Sequence, residues 1–224
     1  MWAAPAPRVS AMSELIRYRP AKQVLDKAVA ATLIVVAAPL FVLAFVAMGA
    51  DMLLSRRDRG PWLYRERRIS RGEEFKLLKF RTLRRDVLEQ TGGVGGHARL
   101  FESNHENLTW AGRRILKRWY LDELPQLVNV LRGDLSLVGP RPWPVRMVAE
   151  QAASGLDYRN RIMAGWTGPA QVQKGVTEPA GYAALDLAYV EACRAWSTNR
   201  LLRYDLGILW QTAKVIARGE GLSY

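Results

Sequence analysis

The sequence predicts an α+β fold, predominantly helical, with a proline-broken re-entrant membrane helix near the N-terminus and a compact domain on the membrane face. Three observations predict it. Residues 28–50 form an apolar run without a charged side chain. Residues 62–80 alternate loosely between apolar and charged side chains, as short strands do. Much of the later sequence repeats its apolar residues at helical spacing, as in Leu124, Leu127, Val128 and Leu131.

The apolar run is long enough to enter a membrane. Its 23 residues match a hydrocarbon core of about 30 Å at a rise of about 1.5 Å per residue. One alternative is a buried core helix, but such helices are usually shorter and carry a polar stripe. Another is a cleaved secretory signal, but 27 residues precede the run, which exceeds the usual apolar length of a signal.

Two features of the run favour insertion without crossing. Pro39 lies within it, where a proline removes a backbone donor and clashes with the carbonyl four residues earlier. Basic residues flank both ends, and only a hairpin keeps both sets in the cytoplasm. They are Arg17, Arg19, Lys22 and Lys27 before the run and Arg56, Arg57 and Arg59 after it. A kinked helix that crosses the membrane stays open as the alternative.

The chain is strongly basic, with a formal net charge of +12. Its 49% hydrophobic content excludes a disordered polyelectrolyte, and its single cysteine excludes a disulfide-stapled secreted domain. Residues 56–85, beside the apolar run, hold twelve basic and four acidic residues. No helix-turn-helix, zinc finger or aromatic stacking motif accompanies them. We therefore expect membrane phospholipids as a partner and no nucleic acid, with nucleic-acid binding as the weakest alternative.

Three smaller features of the sequence are assigned no catalytic or ligand-binding role. The sequence TGGVGGH at residues 91–97 lacks the GxxxxGK[ST] pattern of a phosphate-binding loop and is interpreted as a mobile loop. His97 and His105 lack the ligand spacing of a zinc site. Cys193 is expected to pack within a helix.

Residues 119–144, WYLDELPQLVNVLRGDLSLVGPRPWP, form the densest group of functional side chains. Pro125 fits the first turn of a helix that Gly133 ends, and Asp122 is the predicted N-cap, with Glu123 complementing the helix dipole. The alternative is chemical, because carboxylates held ionised by neighbouring cations are able to attack phosphorus or bind Mg²⁺. Those neighbours are Arg113, Arg114, Lys117 and Arg118.

The string LDELPQLVNVLRGDLSLVGPRP at residues 121–142 closely resembles the bacterial sugar transferase family, the monotopic phosphoglycosyl transferases. KFRTL at residues 79–83 and GWTGPAQVQ at residues 165–173 extend the resemblance, which runs from about Lys22 to the C-terminus. The chain is similar to the minimal catalytic form, with no further block of membrane spans expected before Lys22. Residues 1–21 would then be an N-terminal extension, 22–55 the re-entrant membrane helix, and 56–224 the cytoplasmic catalytic domain with interfacial helices.

The resemblance implies a transferase of substituted phosphate groups at the cytoplasmic face of the bacterial inner membrane. A nucleotide diphosphosugar, usually a UDP-sugar, donates its sugar 1-phosphate to polyprenyl (undecaprenyl) phosphate, which gives polyprenyl-diphospho-sugar and UMP. This reaction initiates a polysaccharide or glycoconjugate. It uses Mg²⁺ and a covalent phosphosugar intermediate on an aspartate. The sequence does not disclose which sugar is transferred, and a homodimer is one oligomeric state that it leaves open.

The resemblance also implies roles for individual residues. Asp122 matches the nucleophile of the family and Glu123 its partner, and together they would hold Mg²⁺. Arg141, between two prolines, matches an arginine that grips phosphate. Lys79 and Arg81 are the next candidates for phosphate or headgroup binding, with solvated interface charges as their alternative.

Two acidic positions are less determined, and three other positions depart from the family pattern. Asp186 matches an acidic position near the family's active site, and Asp134 is expected to cap the next turn. Ala38 stands where many members have serine before the membrane proline, and Trp119 and Tyr120 stand where a Thr-Ser pair is common. A noncatalytic membrane-anchored basic adaptor is the competing interpretation of the whole chain.

Overall fold

A computed structural model describes residues 14–91, 99–173 and 179–218 of the chain. These residues are mostly helical with two small sheets, which confirms the predicted α+β class. The helices are α1 (Pro20–Val36), α2 (Ala38–Leu54), α3 (Arg85–Thr91), α4 (Arg99–Glu102), α5 (Gln126–Arg132), α6 (Val145–Ala153), α7 (Pro169–Val172), α8 (Pro179–Ala195) and α9 (Thr198–Ala217). The strands are β1 (Leu63–Ser70), β2 (Glu73–Phe80), β3 (Ser136–Val138) and β4 (Gly165–Thr167). Residues 92–97 of the predicted loop, His97 included, lie outside the described residues.

The apolar run folds as two helices, α1 and α2, bent by 58° at their junction. Ala37 lies at the break, two residues before Pro39, and Pro39 occupies the first turn of α2. The offset follows from the chemistry of proline, because the ring has no N–H to donate to the carbonyl of Val35, four residues earlier. Among the described residues no single helix is long and apolar enough to cross a membrane, whereas this bent pair passes the same test together.

Exposed apolar side chains surround the bend. A soluble core would bury such residues, so an apolar surface of this kind needs another apolar partner. Its exposed members are Val35, Val36, Leu40, Val42, Leu43, Phe45 and Val46.

The predicted short strands form an antiparallel hairpin of β1 and β2, with Leu63 paired to Phe80 and Ser70 to Glu73. Arg71 and Gly72 make the two-residue turn, and both have positive φ (53° and 81°). Positive φ at both central positions matches the right-handed twist of the strands. The hairpin therefore fixes the register that places Lys79 opposite Tyr64.

The second sheet pairs β3 and β4 in parallel, and two glycines allow its tight packing. A Cβ atom on Gly165 would lie 2.1 Å from the backbone nitrogen of Gly139. Only glycine permits that approach, which brings residues 139–144, the loop after β3, directly against β4.

Two apolar clusters join these elements. The larger packs α1, α5, α8 and α9 around the parallel sheet, with Leu127, Leu137 and Tyr189 among its buried members. The smaller packs Met48 of α2 against Phe80, Leu116 and Leu121. Since Leu121 precedes Asp122 in the chain, the smaller cluster fixes the segment of the predicted nucleophile directly against α2.

A buried ionic network fastens α1 to the rest of the molecule. Lys22 Nζ lies 2.6 Å from Asp205 Oδ2 of α9 and 3.5 Å from Asp26 Oδ2. The hydroxyl of Ser136 donates to Asp26 and that of Tyr189 to Asp205, at 2.6 and 2.8 Å. Because both carboxylates lie out of water, their charge depends on Lys22 for compensation.

Candidate active site

The backbone around Asp122 and Glu123 is irregular. A π-helical turn, Gly112–Leu116, leads to Tyr120, whose φ of 54° lies in the left-handed region. The two carboxylates follow in a 3₁₀ turn, Leu121–Glu123. The chain thus changes direction just before it presents them.

The structure corrects the predicted cap of α5. The N-cap position belongs to Pro125, and α5 begins at Gln126. Asp122 lies one short turn earlier, so the capping interpretation is wrong and its carboxylate is free of that role. The predicted end is confirmed, because Gly133 closes the helix with a φ of 90°.

Arg141 and Glu123 form the central ion pair of the site. Arg141 Nη2 donates to Glu123 Oε1 at 3.0 Å, although the two residues belong to different elements. Glu123 Oε2 is buried without a hydrogen-bond partner among the described residues. Asp122 is 7% exposed. The site therefore holds two adjacent carboxylates that are largely withdrawn from water.

Two lysines add positive charge beside the carboxylates. Lys79 Nζ lies 3.9 Å from Glu66 Oε2, and Lys117 pairs with Glu102, which also accepts a 3.0 Å hydrogen bond from Thr82. Lys79 is where the sequence predicted a phosphate-binding residue. Lys117 and Glu102 were not predicted as site residues. The basic run at residues 113–118 was the signal, but spacing alone does not say which member turns inward.

The environment shifts the pKa values of the two carboxyl groups in opposite directions. Burial, followed by the charge of Glu123, raises the pKa of Asp122 to about 7, against the opposing effect of Lys117 and Lys79. Burial also opposes ionisation of Glu123, but Arg141 and Lys79 outweigh it and hold its pKa below the ordinary value. Glu123 is thus ionised at neutral pH, and Asp122 is an unusually basic carboxylate. Such a carboxylate suits nucleophilic attack.

The donor set suits a divalent cation that also binds phosphate. No group of three or more His, Cys, Asp or Glu side chains able to hold a metal occurs in residues 14–91, 99–173 and 179–218. Asp122 and Glu123 supply two adjacent carboxylates, and Glu123 Oε2 has no hydrogen-bond partner within the described part of the chain. Mg²⁺ typically takes one or two carboxylates and completes its shell with substrate phosphates and water, so this pair fits it.

The side chain of Arg81 is engaged by backbone carbonyls, so its phosphate-binding role stays a prediction that these contacts do not support. Its side chain is buried, and it donates to the carbonyl oxygens of Pro61, Leu83 and Asp58 at 2.8, 2.8 and 2.5 Å. A guanidinium with three backbone acceptors fastens the end of the hairpin to the segment after α2.

The two remaining acidic candidates have other partners. Asp186 is fully buried in α8, where it pairs with Arg159 at 2.7 Å and accepts a hydrogen bond from Tyr158. It lies behind the Arg141 loop, linked to it through Arg159. Asp134 accepts a hydrogen bond from the Asn129 side chain at 2.8 Å, which ties it to α5.

Comparison with known proteins identifies the group to which this arrangement belongs. A family model described as bacterial sugar transferase matches residues 17–219. The chain is 35% identical, over 81% of its length, to UDP-glucose:undecaprenyl-phosphate glucose-1-phosphate transferase of Caulobacter vibrioides. It is 31% identical, over 89% of its length, to undecaprenyl-phosphate galactose phosphotransferase of Salmonella typhimurium.

The lengths of the relatives differ. The chain spans 66% of the Caulobacter protein and 41% of the Salmonella protein, less than two thirds in each case. It is also 32% identical, over 90% of its length, to the exopolysaccharide production protein ExoY of Rhizobium meliloti, of which it covers 87%.

Proposed function

The chain belongs to the bacterial sugar transferase family, and from that premise we propose that it transfers a sugar 1-phosphate from a UDP-sugar to polyprenyl phosphate. The products are polyprenyl-diphospho-sugar and UMP, and the step initiates a bacterial polysaccharide or glycoconjugate. One observation carries the proposal, the pair of buried carboxylates Asp122 and Glu123 beside Arg141, Lys79 and Lys117. Relatives named for undecaprenyl phosphate as acceptor support it.

In the first step the carboxylate of Asp122 attacks the phosphorus that bears the sugar. A bond forms between the carboxylate oxygen and phosphorus, and the bond from phosphorus to the bridging oxygen breaks. UMP leaves with that oxygen, and an aspartyl phosphosugar results. The ionised form of Asp122 supplies the attacking oxygen, and Arg141 supplies a planar donor for the phosphoryl oxygens.

In the second step the phosphate of the lipid attacks the same phosphorus. The new bond forms to the lipid phosphate oxygen, and the bond to Asp122 breaks, which regenerates the free carboxylate. Lys79 and Lys117 offset the negative charge that two phosphates and two carboxylates bring together.

We propose Mg²⁺ as the cofactor, with Asp122 and Glu123 as its protein ligands. When bound, the ion neutralises diphosphate charge and stabilises the leaving group. Arg141 keeps Glu123 ionised and oriented, which is the state that a cation requires.

We propose that the bent pair α1 and α2 enters the cytoplasmic leaflet of the inner membrane and returns. The exposed apolar residues around Ala37 supply the inserted surface, and the basic residues at both ends remain with the anionic headgroups. This places the domain of residues 56–224 on the cytoplasmic face, where the head of a polyprenyl phosphate is accessible. The homodimer remains a prediction.

Cysteine labelling tests this topology. Single cysteines at Glu14 and Arg57, both exposed at the two ends of the pair, are expected to react with a membrane-impermeant maleimide only from the cytoplasmic side. A cysteine at exposed Trp210 is the cytoplasmic reference. Native Cys193 gives little background, because burial raises the pKa of its thiol to about 12. Labelling of Glu14→Cys and Arg57→Cys from opposite sides would establish a crossing helix instead.

The activity is tested by UMP release. The purified full chain in detergent is incubated with Mg²⁺, polyprenyl phosphate and a panel of UDP-sugars. Multiple turnovers with at least one donor, dependent on the lipid, are expected. If a cooperative thermal transition shows that the protein is folded and no donor gives UMP release, the noncatalytic adaptor is favoured.

A further inference from the structure

The loop that carries Arg141 is fixed by its surroundings. Residues 139–144 follow β3 and contain a proline at every second position, so that they form no regular ladder of their own. Four successive carbonyls are nevertheless each bound by a donor from elsewhere. Pro140 accepts from Gly165 N at 2.8 Å, Arg141 from Arg159 Nη1 at 2.6 Å, Pro142 from Arg68 Nη1 at 3.2 Å, and Trp143 from Ile69 N at 3.2 Å.

Arg159 is the donor for the carbonyl of Arg141 itself, and its guanidinium is fully enclosed. The residue is 4% exposed. Besides Arg141 it donates to Asp186 Oδ2 at 2.7 Å and to Gln151 Oε1 at 3.1 Å. The guanidinium also lies 3.9 Å from the ring centroid of Trp143. Its planar fork therefore joins α6, α8 and the loop at one point.

The buried position of Arg159 excludes direct contact with substrate and points to an indirect role. Arg141 reaches Glu123 at 3.0 Å only while its backbone stays in place. The carbonyl held by Arg159 is the nearest tether of that backbone, and Asp186 compensates the charge of the tether.

We propose that Arg159 is a positioning residue for the transfer reaction, held by Asp186, and that it acts by fixing the backbone of Arg141. The inference rests on the proposed function. It accounts for Asp186, which matches an acidic position of the family and whose partners in the structure are Tyr158 and Arg159. Displacing a phosphate-binding group by about 1 Å costs on the order of 10²-fold in rate.

A double-mutant cycle tests the proposal in the full chain. Arg159→Lys retains the positive charge beside Asp186 but loses the planar guanidinium that binds Asp186, Gln151 and the Arg141 carbonyl at once. We expect a fall of about 10- to 100-fold in kcat/KM for UMP release. In the Arg141→Ala background the same change is expected to cost less than about threefold, since the group it positions is gone. Equal losses in both backgrounds would overturn the proposal. Arg161→Lys is the matched control, because Arg161 lies two residues after Arg159 and pairs with Asp157 instead.

Hydrogen exchange gives a readout that does not depend on activity. In Arg159→Lys and in Asp186→Asn, the four amides that the 139–145 segment has, at Gly139, Arg141, Trp143 and Val145, are expected to exchange faster than in the wild type and in Arg161→Lys. Unchanged exchange in that segment would overturn the positioning role. An inactive wild type with faster exchange in the variants would instead refute the proposed function and leave the tether demonstrated.

Discussion

Replacing Asp122 with asparagine is expected to reduce UMP release by at least about 10⁴-fold, the size of loss seen when an essential nucleophile is removed. The amide has nearly the shape of the carboxylate but neither its charge nor its nucleophilic oxygen. Burial and the neighbouring Glu123 make Asp122 a more basic carboxylate than usual, and an amide reproduces none of that. The measurement is the initial rate of UMP release with saturating donor and lipid.

Two further variants make the result specific. Glu123→Gln keeps the nucleophile but removes a proposed cation ligand and the carboxylate that pairs with Arg141. The rate of UMP release should therefore fall, and a higher Mg²⁺ concentration should be needed for half-maximal activity. Asp86→Asn, at an exposed position in α3, is the matched control and should leave the rate unchanged. A rate for Asp122→Asn within tenfold of the wild type would remove the residue from the chemistry.

Replacing Lys22 with methionine is expected to lower the free energy of unfolding by about 3–5 kcal/mol, because it leaves buried charge without compensation. Asp26 and Asp205 both depend on this lysine, at 3.5 and 2.6 Å. For a chain of this size the loss corresponds to a fall of roughly 6–20 °C in Tm. Thermal unfolding in detergent measures it.

The control for Lys22→Met is Lys27→Met, a change of the same type at an exposed position one turn and a half further along α1. It should alter the free energy of unfolding by no more than about 0.5 kcal/mol. Adding Asp205→Asn to Lys22→Met should recover part of the loss, since one uncompensated charge is removed. Equal melting temperatures for Lys22→Met and Lys27→Met would show that the network does not fasten α1.

The sequence predicted those structural features that are determined by residues close together in the chain, such as strands, helix ends and helix breaks. The short strands followed from alternation around residues 62–80, whereas their pairing as a hairpin came only from the structure, and Gly133 ended α5 as predicted. Pro39 predicted a break correctly but not its position, since the missing donor affects the turn before the proline. The cap was predicted wrongly at Asp122, because Pro125 occupies the N-cap position of α5.

Long-range contacts explain what the sequence could not predict. In the sequence, Arg81 is indistinguishable from the other cations of a basic segment. Only the folded structure brings three backbone carbonyls around its guanidinium. Lys22 and Asp205 are 183 residues apart, and Arg159 and Asp186 are 27 apart. The roles of such residues depend on which elements pack together, and neither composition nor spacing carries that information.

The central claim is that Asp122 carries the phosphosugar between the two substrates. The most direct measurement is the mass of the protein after incubation with Mg²⁺ and the active UDP-sugar in the absence of lipid, followed by peptide mapping. We predict the addition of one sugar phosphate on the peptide that contains Asp122, and its loss when polyprenyl phosphate is added. Turnover by a protein that never acquires this adduct, or an adduct that persists in Asp122→Asn, would contradict the account.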